Sequence, residues 1–162
     1  MLKKNQDRFY AKGLQFECLG CGRCCTGFPG YVYLSEGDIR AAAGYLRAAQ
    51  GSFIEKYTRV AAVFGERRLS LTEKKNDYCI FWDDGCSIYP ARPYQCRTFP
   101  FWKRQLDSKG EWEKASGGCP GINRGRVYSK EEIERCVNRV PNYNLDRFTS
   151  SPGFDPLTRR RP

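Results

Sequence analysis

Four cysteines fall within eight residues, in the order Cys18-x2-Cys21-x2-Cys24-Cys25. Thiolates bind zinc and iron–sulfur clusters, and two-residue gaps let successive sulfurs converge on one centre from a tight loop. Gly20 and Gly22 relieve the backbone crowding that such a wrap produces. A glycine-rich loop offers no core, so inert packing does not account for this run. Cys18, Cys21 and Cys24 match the start of the bacterial ferredoxin run, in which the next ligand is a cysteine followed by proline. The chain has one such dipeptide, Cys119-Pro120, far downstream.

Cys25 departs from that pattern. Adjacent residues of an extended backbone point opposite ways, so Cys25 is expected to face a second centre or to bridge two. Cys79, Cys86 and Cys96 are the thiols left to share with it. Cys136 sorts differently: it falls on an apolar helical stripe with Ile133, Val137 and Val140, where a free cysteine behaves as a small buried hydrophobe. The candidate metal ligands are thus Cys18, Cys21, Cys24, Cys25, Cys79, Cys86, Cys96 and Cys119, expected within one compact region.

The chain contains 9 cysteines and 0 histidines. Without histidine there is no Ser-His-Asp triad, no Cys-His nucleophile pair and no imidazole metal ligand. General acid–base chemistry would fall to Asp, Glu, Lys, Tyr or Cys. Asp83 and Asp84, before Gly85, read first as turn residues, and no residue is named as catalytic. Arg92 and Arg97 flank Cys96, where they would either tune a centre's charge and bind an anion, or pin the loop through ion pairs.

The odd cysteine count and the polar start of the chain argue against a disulfide framework. No apolar run reaches signal-peptide or membrane-span length, so a cytoplasmic, reducing setting with no membrane is expected. Lys and Arg number 28 against 18 Asp and Glu, a formal charge of +10. That excess and ten tyrosines would suit nucleic acid, yet the basic residues are spread along the chain and no basic helix gathers them. Substrate, protein partner and oligomeric state are left open.

The elements that must position these residues are short. At 162 residues one domain is expected: a basic N-terminal arm over 1–12, a cysteine-cluster domain over 13–140, and an irregular or disordered basic tail over 141–162. Tyr31 to Leu34 reads as a strand. Ser35 with Asp38 forms a capping box before a helix from about Glu36 to Ala49, whose stripe is Ile39, Ala42, Ala43 and Leu46. Ser52 with Glu55 opens a second helix, and Ser129 with Glu132 a third. Tyr78 to Trp82 and Cys86 to Tyr89 flank Asp83-Asp84-Gly85 as a hairpin. Pro90 and Pro93 impose a turn or single helical turn, and 107–118 reads as a loop. The expected fold class is a small, loop-rich α+β domain with about three helices and a short antiparallel hairpin or sheet, its loop-rich regions tied together by metal instead of by hydrophobic packing.

The chain resembles the bacterial CxxCxxCC cysteine-cluster family, the YkgJ-like zinc- or iron-chelating domains. The likeness is carried by Phe16-Glu17-Cys18-Leu19-Gly20-Cys21-Gly22-Arg23-Cys24-Cys25, then Leu34 and Asp38-Ile39. It continues through Cys79-Ile80-Phe81, Cys86-Ser87-Ile88-Tyr89, Arg92-Pro93, Cys96-Arg97, Phe99-Pro100-Phe101 and Cys119-Pro120-Gly121-Ile122 with Gly125. The resemblance implies the same eight cysteine ligands. Members are labelled Fe-S oxidoreductases or zinc/iron chelators, and flagellin lysine methylase is similar in its cysteine motif. An iron–sulfur centre in redox or protein-modification chemistry is the preferred expectation. The alternatives are a zinc-stabilised non-catalytic binding module, in which Cys18 with Cys21 and Cys79 with Cys86 supply four thiolates, and metal chelation or delivery through exposed thiolates. The radical S-adenosylmethionine spacing is absent.

Overall fold

The computed structural model describes residues 8–26 and 30–148. Expectations for residues 1–7, for Gly27 and for the tail beyond Phe148, with Arg159, Arg160 and Arg161, lie outside the described residues. The fold is α+β, with five α-helices and two two-stranded antiparallel sheets among the described residues. It packs as two compact units. The first joins Met1–Cys24 to Thr98–Val140 and the second joins Cys25–Arg97 to Pro141–Pro162. No helix among the described residues is long and apolar enough to cross a membrane.

In the first unit, β1 (Leu14–Phe16) pairs antiparallel with β4 (Ile122–Tyr128). Leu14 faces Tyr128 and Gln15 faces Val127, but Phe16 faces Ile122, so an irregularity falls between Gln15 and Phe16. The excursion it creates in β4 passes through Asn123 and Gly125, both at positive φ. The core gathers Phe16, Phe101, Leu106, Trp112, Ile122 and Ile133. Phe101 stacks on Trp112 with ring centroids 5.9 Å apart. Tyr10 is buried in the same core, so the N-terminal arm is packed where it is described.

Residues 107–118, expected as a loop, contain helix α4 (Lys109–Gly118), whose N-cap Ser108 accepts a hydrogen bond from the Glu111 amide. Its one buried residue, Trp112, donates its indole N–H to Asn123 Oδ1 at 2.8 Å. Helix α5 (Lys130–Asn138) starts at the expected Ser129–Glu132 capping box and buries Ile133.

The second unit begins its regular structure at α1 (Glu36–Tyr45), where Ser35 and Asp38 form the expected capping box. The helix ends four residues early, and Arg47 follows at φ 54°. Helix α2 (Gln50–Tyr57) starts at Ala49 with no side-chain cap, not at Ser52, and runs directly into β2 (Thr58–Val63). β2 pairs with β3 (Glu66–Leu71) in an unbroken register across Phe64-Gly65, both at positive φ. The expected strand at Tyr31–Leu34 is a short rung on the other edge of β3: Tyr33 bridges Ser70, and the Leu34 amide donates to the Leu69 carbonyl at 3.0 Å.

The hairpin expected over 78–89 is therefore displaced. Asp83-Asp84-Gly85 does make the turn, with the Asp83 amide donating to the Gly85 carbonyl at 2.8 Å, and across it Trp82 bridges Cys86 and the Ser87 amide donates to the Phe81 carbonyl at 2.9 Å, but no strand forms among these residues. The arms are diverted: the Ile80 amide donates to the Thr72 carbonyl at 3.1 Å, so Cys79 is held against the chain after β3. Pro90 lies in a 3-10 turn (Tyr89–Ala91), followed by α3 (Tyr94–Thr98), the expected single helical turn.

The second core holds Leu34, Ile39, Phe53, Leu69, Leu71, Phe81 and Ile88, joined by Leu145 from the tail. Arg67 pairs with Asp146 beside it. Leu145 and Phe148 thus pack into this unit. Each unit has its own apolar cluster, so hydrophobic burial, at about 25 cal/mol per Å² of apolar surface, supplies cohesion that the sequence assigned to metal.

Asp38 is 4% exposed, and its Oδ2 accepts from the Ser35 amide (3.0 Å) and hydroxyl (2.7 Å) while Oδ1 accepts from the Tyr94 amide (2.8 Å). Ser35→Ala removes one cap and is expected to cost about 1 kcal/mol. Asp38→Ala leaves two amides without their acceptor and is expected to cost about 2–4 kcal/mol. Urea unfolding of both variants checks the order, and equal losses would show that the bond to Tyr94 contributes nothing.

Candidate metal centre

Cys18, Cys21 and Cys24 lie on the loop that leaves β1, and all three are solvent-exposed. Gly20 and Gly22 adopt φ of 63° and 71°, the left-handed region that glycine enters without strain. These two residues turn the loop between successive thiols.

Cys119 reaches the same unit from the end of α4, where its amide donates to the Ala115 carbonyl at 3.0 Å. It is half-buried against the first core. Burial pushes its thiol pKa up, and the amides of Gly121 and Ile122, hydrogen-bonded to the sulfur, pull it back. Cys21 and Cys24 are close enough to raise it further by like-charge repulsion. The turn that carries Cys119 is pinned by contact with the residue before Cys18. The Glu17 amide donates to the Gly121 carbonyl at 3.1 Å, and a Cβ on Gly121 would lie 1.9 Å from the Glu17 carbonyl oxygen. A Cβ on Gly125 would lie 2.4 Å from the Glu17 Cβ.

Cys25, Cys79, Cys86 and Cys96 belong to the second unit, and all are half-buried. The Cys79 amide donates to the Cys25 carbonyl at 2.7 Å, which brings those two backbones together. Cys79 and Cys86 pack against the second core. The carbonyls of Cys79 and Cys86 accept from the Trp82 and Tyr89 amides at 2.9 and 3.1 Å.

Cys96 sits on α3, whose other residues are tied in place. Tyr94 is bonded to Asp38, and Gln95 receives the Tyr33 amide at 3.0 Å while donating to the Tyr31 carbonyl at 2.8 Å. Gln95 was not singled out in the sequence, and Asp38 only for its cap on α1; their bonds to Tyr94 and Tyr33 were not legible because those partners are 56 and 62 residues away. Arg92 lies over the Tyr89 ring at 3.5 Å and donates to the Tyr89 carbonyl, the loop-pinning alternative. Arg97 approaches Asp38 at 3.7 Å and is half-exposed. Burial raises the pKa of Tyr143, whose neighbours include Asp38, Tyr94 and Cys96. Cys136 packs half-buried against the first core, and burial raises its pKa too.

Among the described residues no group of three or more Cys, Asp or Glu side chains is arranged to hold a metal ion. The fit to a metal rests on donor chemistry. No disulfide joins any of the nine cysteines, and Cys21 and Cys24 lie near enough to Cys119 to raise its pKa by like-charge repulsion. Soft sulfur donors of this kind suit zinc or iron–sulfur centres and exclude hard-cation sites built on carboxylates.

The profile of the CxxCxxCC family, described as "Putative zinc- or iron-chelating domain", matches residues 17–120. An uncharacterised protein of the archaeon Methanocaldococcus jannaschii, MJ0661, is 27% identical over 106 residues, which are 62% of this chain and 54% of that protein. A second from the same organism, MJ0939, is 25% identical over 151 residues, 85% of this chain and 47% of its own length. The chain thus spans about half the length of these relatives, and the likeness extends beyond bacteria. No solved structure matches.

Gly121→Ala is expected to lower both the metal bound per chain and the thermal midpoint, because the Cys119 turn cannot keep its distance from Glu17. Gly117→Ala, where a Cβ meets nothing within 4 Å, is expected to gain about 0.5–1 kcal/mol with unchanged metal. Full metal content in Gly121→Ala would show that the turn yields. Replacing Cys136 with Ala should leave metal content at the wild-type value, and a fall as large as that of Cys21→Ala would place Cys136 among the ligands.

Proposed function

From the premise that the chain belongs to the CxxCxxCC family of zinc- or iron-chelating domains, we propose that it is an iron–sulfur protein acting in redox or protein-modification chemistry. The observation that carries this reading is an all-thiolate donor set in which a Cys-Pro turn is packed against the residue preceding a CxxCxxC loop. Cys18, Cys21, Cys24 and Cys119 would hold the cluster in the first unit. Such a cluster supplies one-electron chemistry at a potential tuned by hydrogen bonds to its sulfurs and by solvent exposure. The Gly121 and Ile122 amides are aimed at the Cys119 sulfur and stabilise negative charge there. A cytoplasmic setting is part of this reading.

A second reading, zinc chelation or delivery, is favoured by the exposure of Cys18, Cys21 and Cys24, since a carrier must let its metal be reached. A four-thiolate zinc site uses the same ligands. Anaerobic purification followed by iron, acid-labile sulfide and zinc analysis separates the two. Iron and sulfide in equal amounts, with brown colour, are expected. A colourless protein with stoichiometric zinc and no labile sulfide would overturn the iron–sulfur reading in favour of the second.

A further inference from the structure

Strand β2 has an open edge. Val63 and Glu66 flank the tight turn at Phe64-Gly65, so Arg59, Ala61 and Val63 exchange hydrogen bonds with β3, while the amides and carbonyls of Thr58, Val60 and Ala62 point away from it. The far edge of β3 is occupied: the Leu34 amide donates to the Leu69 carbonyl and the Leu71 amide to the Val32 carbonyl, both at 3.0 Å. On the β2 side the Thr58 amide donates to the Ile54 carbonyl at the end of α2. Among the described residues the outward backbone groups of Val60 and Ala62 have no partner.

Proteins blunt an edge of this kind with lysine, proline or a bulge. β2 has none of these and pairs with β3 in unbroken register. Apolar groups lie exposed beside it. Val60 is 46% exposed, and Phe64 at the turn is 96% exposed at φ 51°, where a phenylalanine is strained and Asn or Gly is the ordinary choice. The edge is also self-complementary. When two β2 strands run antiparallel about a two-fold axis, all of Thr58, Val60 and Ala62 meet outward-facing positions only if Val60 lies on the axis. Each Val60 amide then donates to the partner's Val60 carbonyl, and each Ala62 amide to the partner's Thr58 carbonyl. The charges suit that register. Arg59, the one charged residue of β2, falls opposite the partner's Ala61 and is already held by Glu73 at 2.7 Å. Phe64 falls opposite the partner's Lys56, an exposed residue whose ammonium lies 5.1 Å from the Tyr57 ring, so an uncovered aromatic ring gains a cation.

We propose that β2 of one chain pairs antiparallel with β2 of a second copy about a two-fold axis through Val60, joining two hairpins into one continuous sheet. The proposal does not rest on the metal-binding reading. Packing of the Phe64 ring on the partner offsets the backbone strain at that residue. The shared edge is short, whereas stable interfaces bury about 1,600 Å², so the dimer is weak and forms as concentration rises.

The test uses the full chain, kept reduced, in a concentration series followed by analytical ultracentrifugation. The mass should rise from 18.7 kDa toward twice that value. Hydrogen exchange of the wild type needs no variant to fold: the Val60 and Ala62 amides should slow with concentration, while the Thr58 amide, bonded within its own chain, should not change. Val60→Lys and Val60→Glu each set like charges against one another across the axis and should weaken association at least about tenfold. Because Val60 faces its own copy, mixing the two variants should restore association. Val127→Lys, at a 55% exposed position of β4, should associate as the wild type does. A chain that stays at 18.7 kDa with both amides exchanging freely, association untouched by either Val60 variant, or a mixture no tighter than its components would overturn the proposal. Protection of both amides in a chain that remains monomeric would overturn it too, and would give the edge to another segment of the same chain.

Discussion

Glu17 and Gly121 approach each other more closely than any side chain allows, and in the first unit the placement of the thiols follows from that contact. The Glu17 amide bonds to the Gly121 carbonyl, and the space a Cβ would need is filled by the Glu17 carbonyl oxygen. A hydrogen bond of this kind contributes about 1 kcal/mol, a modest sum. Its importance is geometric. It joins the end of β1, from which the CxxCxxC loop departs, to the turn that carries Cys119 and aims two amides at its sulfur. The break in the β1–β4 register lies at this point, because the strands cannot keep regular pairing while a Cys-Pro turn is seated at their end.

The second unit reaches a similar result by other means. Asp38 is a buried carboxylate whose oxygens are occupied by Ser35 and Tyr94, with Arg97 nearby. A buried charge that is fully hydrogen-bonded avoids the desolvation penalty that would otherwise expel it. Here it couples the start of α1 to the helical turn that carries Cys96. Apolar packing beneath, with Phe53 stacked on Phe81 at 6.1 Å, holds the scaffold on which Cys79 and Cys86 rest. Both units thus place thiols on structure that has its own reasons to fold.

What was legible in the sequence was local. The Ser35–Asp38 and Ser129–Glu132 boxes mark true helix starts because both partners lie within one turn. The Ser108–Glu111 pair carries the same signal, yet Gly110, Gly117 and Gly118 and a single buried residue, Trp112, leave α4 without an apolar stripe. The real hairpin was hidden because its turn is Phe64-Gly65. A 96% exposed phenylalanine at φ 51° is no ordinary turn residue, whereas Asp84-Gly85 is. The cysteine spacings and Cys119-Pro120 could be read directly. The anchors could not: Asp38, Gln95 and Gly121 act on residues far along the chain, and one sequence holds no record of such pairings.

Those long separations also set a timetable. Leu14 of β1 pairs with Tyr128 of β4, so the first unit is completed only after residues 25–97 have been synthesised. During synthesis the CxxCxxC loop emerges early and Cys119 only 95 residues after Cys24. At ribosomal speeds that interval is about 5–20 s. Throughout it the three early thiols have neither their fourth partner nor the strand that fixes their loop, while residues 25–97 can already gather their own cysteines. The four-thiolate set proposed for the first unit is therefore completed late, and until then its thiols stand open to whatever metal or oxidant the nascent chain meets.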